Sequence, residues 1–224
     1  MGRDRRPSRG ARERNGRRTA PGNPESAEAA GSSAIDTIRS FVAILLEGAV
    51  RGKLAAAIER LRPVSRDVAW VNPGNIHLTV KFLGNVARDR IDPIVAALTG
   101  ALGEAGAFDA TIRGLGAFPS LARPRVIWAG VTEGAGAMVE AARRVDEALA
   151  AVGFPREARP FSPHATLGRV RRPGANPTLA SALRAEESSE FGRIHVAGVR
   201  LMRSELSPRG AHYTELATVA LGSS

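Results

Sequence analysis

The alternation of apolar and polar residues is clearest in Ile76-His77-Leu78-Thr79-Val80-Lys81-Phe82-Leu83. Because neighbouring residues of a β-strand point to opposite faces of the sheet, this alternation predicts a strand with one buried face. The buried face is expected to consist of Ile76, Leu78, Val80 and Phe82. The other face would present His77, Thr79 and Lys81, a positively charged group of hydrogen-bond donors suited to binding phosphate.

A second His-x-Thr-x tetrapeptide, His164-Ala165-Thr166-Leu167, lies 87 residues further along a chain that has only four histidines. Pro163 fits the first position of a strand, and Gly168 would allow a ligand or another backbone to approach closely. On two strands facing one cleft, the tetrapeptides would supply an acid, a base and two hydroxyl donors for a phosphate ester. Further positive charge would come from Arg169, Arg171 and Arg172.

The remaining two histidines fit such a site less well. His212 is followed by Thr214 at the same spacing, but the segment comes after the turn residues 208–210 and places Glu215 next to the threonine. We interpret it as an edge or hairpin strand. His195 is expected to be structural or to face solvent. The four histidines show no spacing typical of a zinc site, and the chain has no P-loop or dinucleotide-binding fingerprint. We therefore expect neither a metal nor another cofactor.

The composition is that of a globular and strongly basic protein. The chain has 224 residues, of which 43% are hydrophobic, no cysteine, and a formal net charge of +10. The lack of cysteine excludes disulfides and thiolate metal sites, and no apolar run is long enough to cross a membrane. A basic surface attracts polyanions such as RNA. These features favour a cytoplasmic protein that binds RNA and no membrane. We also expect a monomer, although the composition does not determine the oligomeric state.

Residues 1–35 differ in composition from the rest of the chain. Arginine alternates there with glycine, proline and asparagine, and apart from Met1 no apolar residue larger than alanine occurs before Ile35. Such a segment cannot bury enough apolar surface to fold, so we predict a disordered basic tail. It would act either as an arm that attracts RNA or as a dispensable extension. A single domain would occupy residues 36–224.

Short strands alternate with helices in the predicted domain. Periodicity and turn residues predict strands at 40–46, 68–71, 76–83, 108–114, 124–131, 164–170, 193–206 and 211–221. Helices are predicted at 51–62, at 88–102, before Gly153, and from an Asn176 cap through Leu183. This order lacks a long parallel α/β run, so we assign the fold class α+β. One His-x-Thr strand in each half indicates two similar lobes around a cleft.

Several segments carry a resemblance to a known family. They are residues 41–44, residues 75–84 around the first histidine, residues 116–119 with 124–131, residues 161–169 around the second histidine, and residues 204–210 with 213–214. In this order, over about residues 39–221, the chain resembles the two-histidine (2H) phosphoesterases. Within that superfamily it is similar to the bacterial and archaeal RNA 2′,3′-cyclic phosphodiesterases, historically called 2′-5′ RNA ligases.

The resemblance implies a bilobal α+β fold with pseudo-twofold symmetry and both motifs facing a central cleft. It also implies hydrolysis, without a metal, of a terminal RNA 2′,3′-cyclic phosphate to a 2′-phosphate. In that reaction His77 would be the proton donor to the leaving 3′ oxygen, and His164 would be the proton acceptor from water. Thr79 and Thr166 would bind the non-bridging phosphate oxygens.

Two other functions are compatible with the same residues. The first is a 2H phosphoesterase that acts on a small cyclic nucleotide or on ADP-ribose cyclic phosphate. The second is a non-catalytic RNA-binding protein, but this interpretation leaves both histidines and both threonines without a role. Ligation is chemically the reverse reaction, and in water the strain of the five-membered cyclic phosphate favours ring opening instead.

Overall fold

The structure of the protein is a computed structural model. It describes residues 36–46, 48–208 and 210–222. The predicted basic tail lies outside these residues. Within them, nine strands and four α-helices form the fold. They are β1 (Thr37–Leu45), α1 (Gly48–Leu61), β2 (Val68–Trp70), β3 (His77–Ala87), α2 (Ile91–Leu102), β4 (Phe108–Phe118), β5 (Val126–Val131), α3 (Ala135–Ala151), β6 (His164–Val170), α4 (Pro177–Ala185), β7 (Glu190–Val196), β8 (Gly198–Ser207) and β9 (Gly210–Ala220).

The strands form one antiparallel sheet that has two similar halves. Its order is β7-β4-β5-β6-β3-β1-β8-β9, with β2 paired to β6. The halves meet where β3 and β6 pair through Leu78 and Ala165. Each half therefore contains four strands of this order, with one His-x-Thr strand at the centre of the sheet. The predicted α+β, bilobal architecture is confirmed.

Helices cover each half of the sheet. Helix α1 contacts β7 and α4 contacts β4, whereas α2 contacts β9 and α3 contacts β3. Each helix buries residues spaced three or four positions apart, the spacing that creates one apolar face. The large side chains that the helices bury fully include Leu54, Ile58, Ile94, Leu98, Leu102, Met138, Leu149, Leu179 and Leu183.

Two helix ends carry the capping residues that the sequence predicted. The Asn176 side chain accepts a hydrogen bond from the Leu179 N–H at 3.0 Å, and Pro177 is the first residue of α4. Gly153 follows the last turn of α3 with a φ of +90°, a conformation that side chains with a Cβ disfavour. The C-terminal β-like segment at 193–206 is in fact two strands, because the chain leaves β7 after Val196 and begins β8 at Gly198.

The predicted faces of β3 are wrong at Lys81 and Phe82. Pairing with β1 shifts register so that Val80, and then Leu83, has no partner opposite it, which makes each an extra residue of a β-bulge. A bulge interrupts the strict alternation of side chains. Beyond Val80, Lys81 is therefore buried, with 3% of its side chain exposed, and Phe82 is 59% exposed.

Candidate active site

The junction between the two halves of the sheet forms the floor of an open cleft of about 1490 Å³. All four residues predicted for the site line it: His77, Thr79, His164 and Thr166. Their positions follow from the antiparallel pairing of Leu78 with Ala165, because each histidine and threonine flanks one of these two residues. The structure thus brings together side chains that are 87 residues apart in the sequence.

Both histidines are held by the same backbone contact. Nδ1 of His77 lies 2.7 Å from the carbonyl oxygen of Asn75, and Nδ1 of His164 lies 2.7 Å from that of Ser162. Since a carbonyl oxygen can only accept a hydrogen bond, Nδ1 must carry the proton in each ring. The Nε2 atom of a neutral ring is then the free base, and a second proton can be added only there.

The His77 ring is enclosed by its neighbours. Phe41 stacks on it with ring centroids 4.9 Å apart, and the Tyr213 ring packs nearly perpendicular to it with centroids 5.3 Å apart. Nε2 lies 3.0 Å from the hydroxyl oxygen of Thr79. Burial lowers the pKa of His77 below its usual 6.5, although the Asn75 carbonyl opposes this effect by stabilising the charged ring. His77 is thus mainly neutral at pH 7 in the free protein.

We expect the imidazole of His77 to titrate with a midpoint below 6.5. Its protonated fraction should stay under one half at pH 6.5 and rise only as the pH falls further, because burial disfavours the imidazolium. NMR titration of the ring carbon and nitrogen signals, assigned with His77→Ala, measures this midpoint. A midpoint at or above 6.5 in the ligand-free protein would contradict the expected effect of burial.

The surroundings of the His164 ring differ from those of His77. The Phe118 ring packs nearly perpendicular to its imidazole with centroids 5.0 Å apart, and Phe118 itself packs against Trp128. In the described residues no hydrogen bond joins His164 to Thr166, in contrast to the bond between His77 and Thr79. The two halves of the site are therefore similar in their backbone contacts and unequal in the enclosure of the rings.

Lys81 does not offer the free positive charge that the strand pattern suggested. Its ammonium group forms an ion pair with Asp146 of α3 and donates a hydrogen bond to the Pro155 carbonyl at 2.7 Å. Asp146 also accepts a hydrogen bond from the Glu157 N–H at 3.1 Å. Burial raises the pKa of the Asp146 carboxyl, but the contacts with Lys81 and Glu157 outweigh it and hold the pKa below 3.8. The charge of Lys81 is thus neutralised within the fold.

Positive charge in the cleft comes from arginines instead. Of the three arginines predicted after the second motif, only Arg169 lines the cleft. Arg172 pairs with Asp67, and Arg171 donates to the Arg66 carbonyl. Four further arginines of the lining were not predicted. Arg143 lies on α3 and pairs with Glu140 and Glu147. The other three lie on loops between elements, where no periodic pattern identifies them, and are Arg123, Arg125 and Arg159.

The two other histidines lie elsewhere. His195 is exposed on β7, with Nδ1 2.8 Å from a carboxylate oxygen of Asp109. His212 is exposed on β9, opposite Glu205 in the hairpin formed with β8. Both positions agree with the predicted solvent-facing and hairpin roles. Tyr213, which neighbours His212, is the residue of this hairpin that reaches the site, through its contact with His77.

The described residues lack two other kinds of feature. They contain no group of three or more histidine, aspartate or glutamate side chains placed to hold a metal ion. Nor does any helix among them have the length and apolar character needed to span a membrane.

A model of the protein family described as the 2′-5′ RNA ligase superfamily matches residues 50–207. The chain belongs to this superfamily. It is 36% identical over 179 residues to an RNA 2′,3′-cyclic phosphodiesterase of Archaeoglobus fulgidus, covering 80% of this chain and 98% of that protein. It is 37% identical to an RNA 2′,3′-cyclic phosphodiesterase of Thermus thermophilus, with 82% and 90% covered. The resemblance seen in the sequence is confirmed.

Solved structures of related proteins share the fold. The crystal structure of TT0787 from Thermus thermophilus superposes with a TM-score of 0.68 at 31% identity, covering 83% of this chain and 99% of that one. The Escherichia coli LigT structure complexed with 3′-AMP gives a TM-score of 0.67 at 22% identity, with the same coverage. The second comparison supports the architecture alone.

Proposed function

We propose that this protein hydrolyses RNA 2′,3′-cyclic phosphate ends to 2′-phosphate ends by acid and base catalysis that needs no metal ion. The observation that carries the proposal is the pair of imidazoles in one cleft, each with Nδ1 bonded to a backbone carbonyl. Only Nε2 of each ring remains for proton transfer. The relatives in the superfamily are RNA 2′,3′-cyclic phosphodiesterases, which supports this substrate class.

The proposed reaction requires that the attacking water lose one proton and that the leaving 3′ oxygen gain one. The unprotonated Nε2 of His164 removes a proton from a water molecule, and the oxygen of that water forms a new bond to phosphorus. The bond from phosphorus to the 3′ oxygen breaks, and His77, protonated at Nε2, gives its proton to that oxygen. The sum is the addition of one water, and the phosphate remains on the 2′ oxygen. In-line displacement requires the two imidazoles to lie on opposite sides of phosphorus, and the position of one histidine on each lobe supports this arrangement.

The lowered pKa of His77 is compatible with its role as the acid. A cyclic phosphate diester carries a negative charge, and a nearby negative charge stabilises an imidazolium. Substrate binding would therefore raise the pKa of His77 just when its proton is needed. In the free protein the neutral ring is kept in place by its contacts with Asn75 and Thr79. This account assigns Thr79 two roles, bonding Nε2 before binding and a phosphate oxygen afterwards.

Thr79→Val and Thr166→Val are each expected to lower turnover by about tenfold or somewhat more. Each substitution removes one donor to a growing negative charge that other groups also stabilise, so the loss should be smaller than for either histidine. Single-turnover rates on a cyclic-ended oligonucleotide measure the effect. Thr→Ser at the same positions keeps the hydroxyl and should recover most of the rate. A valine variant with the wild-type rate would show that the hydroxyl of that threonine does not contribute to catalysis.

The identity of the product tests the proposed reaction. A short oligonucleotide ending in a 2′,3′-cyclic phosphate should gain the mass of one water when incubated with the protein. The phosphorus NMR spectrum of the product should then match a synthetic 2′-phosphate standard and differ from the 3′-phosphate. Formation of the 3′-phosphate would mean that the 2′ oxygen leaves, which contradicts the assigned geometry. An unchanged substrate would contradict the proposal as a whole.

A further inference from the structure

Four arginines of the cleft differ from most arginines of the fold in having no partner. Among the described residues, ten arginines form ion pairs with carboxylates. The side chains of Arg123, Arg125, Arg159 and Arg169 form neither ion pairs nor hydrogen bonds within the described part of the protein, and all four line the cleft. Unpaired guanidinium groups are good ligands for phosphate oxygens.

Carboxylates do not compensate this charge. The acidic residues that line the cleft are Asp146 and Glu157. Asp146 is already occupied by the ammonium group of Lys81. The lining therefore has a clear excess of positive charge, and a cleft lined by one sign of charge concentrates ligands of the opposite sign.

Three of the free arginines lie on backbone that is anchored beside the second histidine. The Arg125 N–H donates a hydrogen bond to the Phe118 carbonyl at 2.7 Å, and the ring of Phe118 contacts His164. Arg123 is two residues earlier in the same connection between β4 and β5. Arg159 lies between α3 and β6, five residues before His164, in a segment that Lys81 holds through the Pro155 carbonyl.

The size of the cleft also exceeds what one nucleotide needs. Its volume of about 1490 Å³ lies above the roughly 300–1,000 Å³ of typical small-molecule pockets. A strand whose 3′ end carries the cyclic phosphate can continue only in the 5′ direction. Guanidinium groups beyond the reacting phosphate would therefore contact the phosphodiester groups between the last few nucleotides of that strand.

We propose that Arg123, Arg125 and Arg159 bind the phosphodiester groups that precede the cyclic phosphate, so that the cleft selects the end of an RNA strand over a cyclic mononucleotide. This inference rests on the proposed function. Arg169 is set apart from it, because it lies on β6, the strand that carries His164 and Thr166, and is assigned to the reacting phosphate.

The test compares adenosine 2′,3′-cyclic phosphate with a pentanucleotide that has the same cyclic end. At low salt the protein should show a kcat/KM at least about tenfold higher for the pentanucleotide. Arg123→Gln, Arg125→Gln and Arg159→Gln should each reduce this preference by roughly two- to fivefold, the effect expected for one exposed ion pair. The matched control is Arg184→Gln on α4, an exposed arginine without a partner among the described residues, and it should leave the preference unchanged.

A binding measurement separates this inference from the proposed reaction. Fluorescence anisotropy with a labelled pentanucleotide ending in a 2′-phosphate gives Kd at several salt concentrations. The slope of log Kd against log salt should decrease by about 0.7 for each phosphate contact that a variant removes. If neither cyclic substrate is hydrolysed but the salt slopes of the arginine variants still decrease, the proposed reaction is wrong, whereas the binding of RNA by these arginines is supported.

Two outcomes would overturn the inference. One is an equal kcat/KM for both substrates together with slopes in the arginine variants that match Arg184→Gln. The other is competition by polyglutamate as strong as that by unlabelled RNA, which would indicate an acidic protein as the ligand of these arginines.

Discussion

Replacement of His77 or His164 by alanine is expected to lower turnover on a cyclic-ended oligonucleotide by roughly 10²- to 10⁴-fold, the usual contribution of a positioned acid or base. Both rings line one cleft and both are oriented by a backbone carbonyl at 2.7 Å. Because acid and base act in the same step, the double variant should be little worse than the poorer single variant. Rates under single-turnover conditions measure all three.

The chain provides matched controls for this prediction. His195→Ala removes an exposed imidazole that bonds to Asp109 on another part of the sheet, and it should leave the rate near that of the wild type. His212→Ala should do the same, although it shares the His-x-Thr spacing. Loss of turnover in His212→Ala with normal turnover in His77→Ala would show that the wrong strands were assigned to the site.

Asp146→Ala is expected to lower the free energy of unfolding by roughly 3–5 kcal/mol, because it leaves a buried ammonium without its counter-ion. Lys81 has only 3% of its side chain exposed, and its one other acceptor among the described residues is the Pro155 carbonyl. Lys81→Met should cost less, since it removes the buried charge while Asp146 is partly exposed and keeps its bond from Glu157. Urea denaturation followed by circular dichroism measures both.

The control for this pair is an ion pair on the surface. Arg172 and Asp67 lie 2.6 Å apart with 83% and 44% of their side chains exposed. Asp67→Ala should therefore change the free energy of unfolding by about 1 kcal/mol or less. An equal decrease in the free energy of unfolding for Asp67→Ala and Asp146→Ala would mean that the Lys81 ammonium group becomes hydrated or finds another partner once Asp146 is removed.

Local patterns in the sequence predicted much of the fold and singled out four residues that all line the cleft. Alternation along a strand needs no knowledge of distant residues, so the strands that carry His77 and His164 could be placed directly. The cap at Asn176 is equally local. The spacing of two in each motif also predicted that histidine and threonine would share a face, and both line the cleft.

Features that depend on distant parts of the chain could not be predicted in this way. The bulge at Val80 arises from the register between β3 and β1, and it moves Lys81 and Phe82 out of their expected positions. The pairing of β8 with β1 places two strands from the end of the chain in the half of the sheet that contains β1 and β3. That pairing is also what brings Tyr213 against His77.

The measurement that tests the central claim most directly is turnover of a cyclic-ended oligonucleotide after the protein has been dialysed against EDTA. The account predicts the same rate with EDTA as without it, and the same 2′-phosphate product, because both proton transfers are assigned to His77 and His164. Zinc, magnesium or manganese ions added afterwards should not increase the rate. Loss of activity in EDTA that a divalent ion restores would contradict the account.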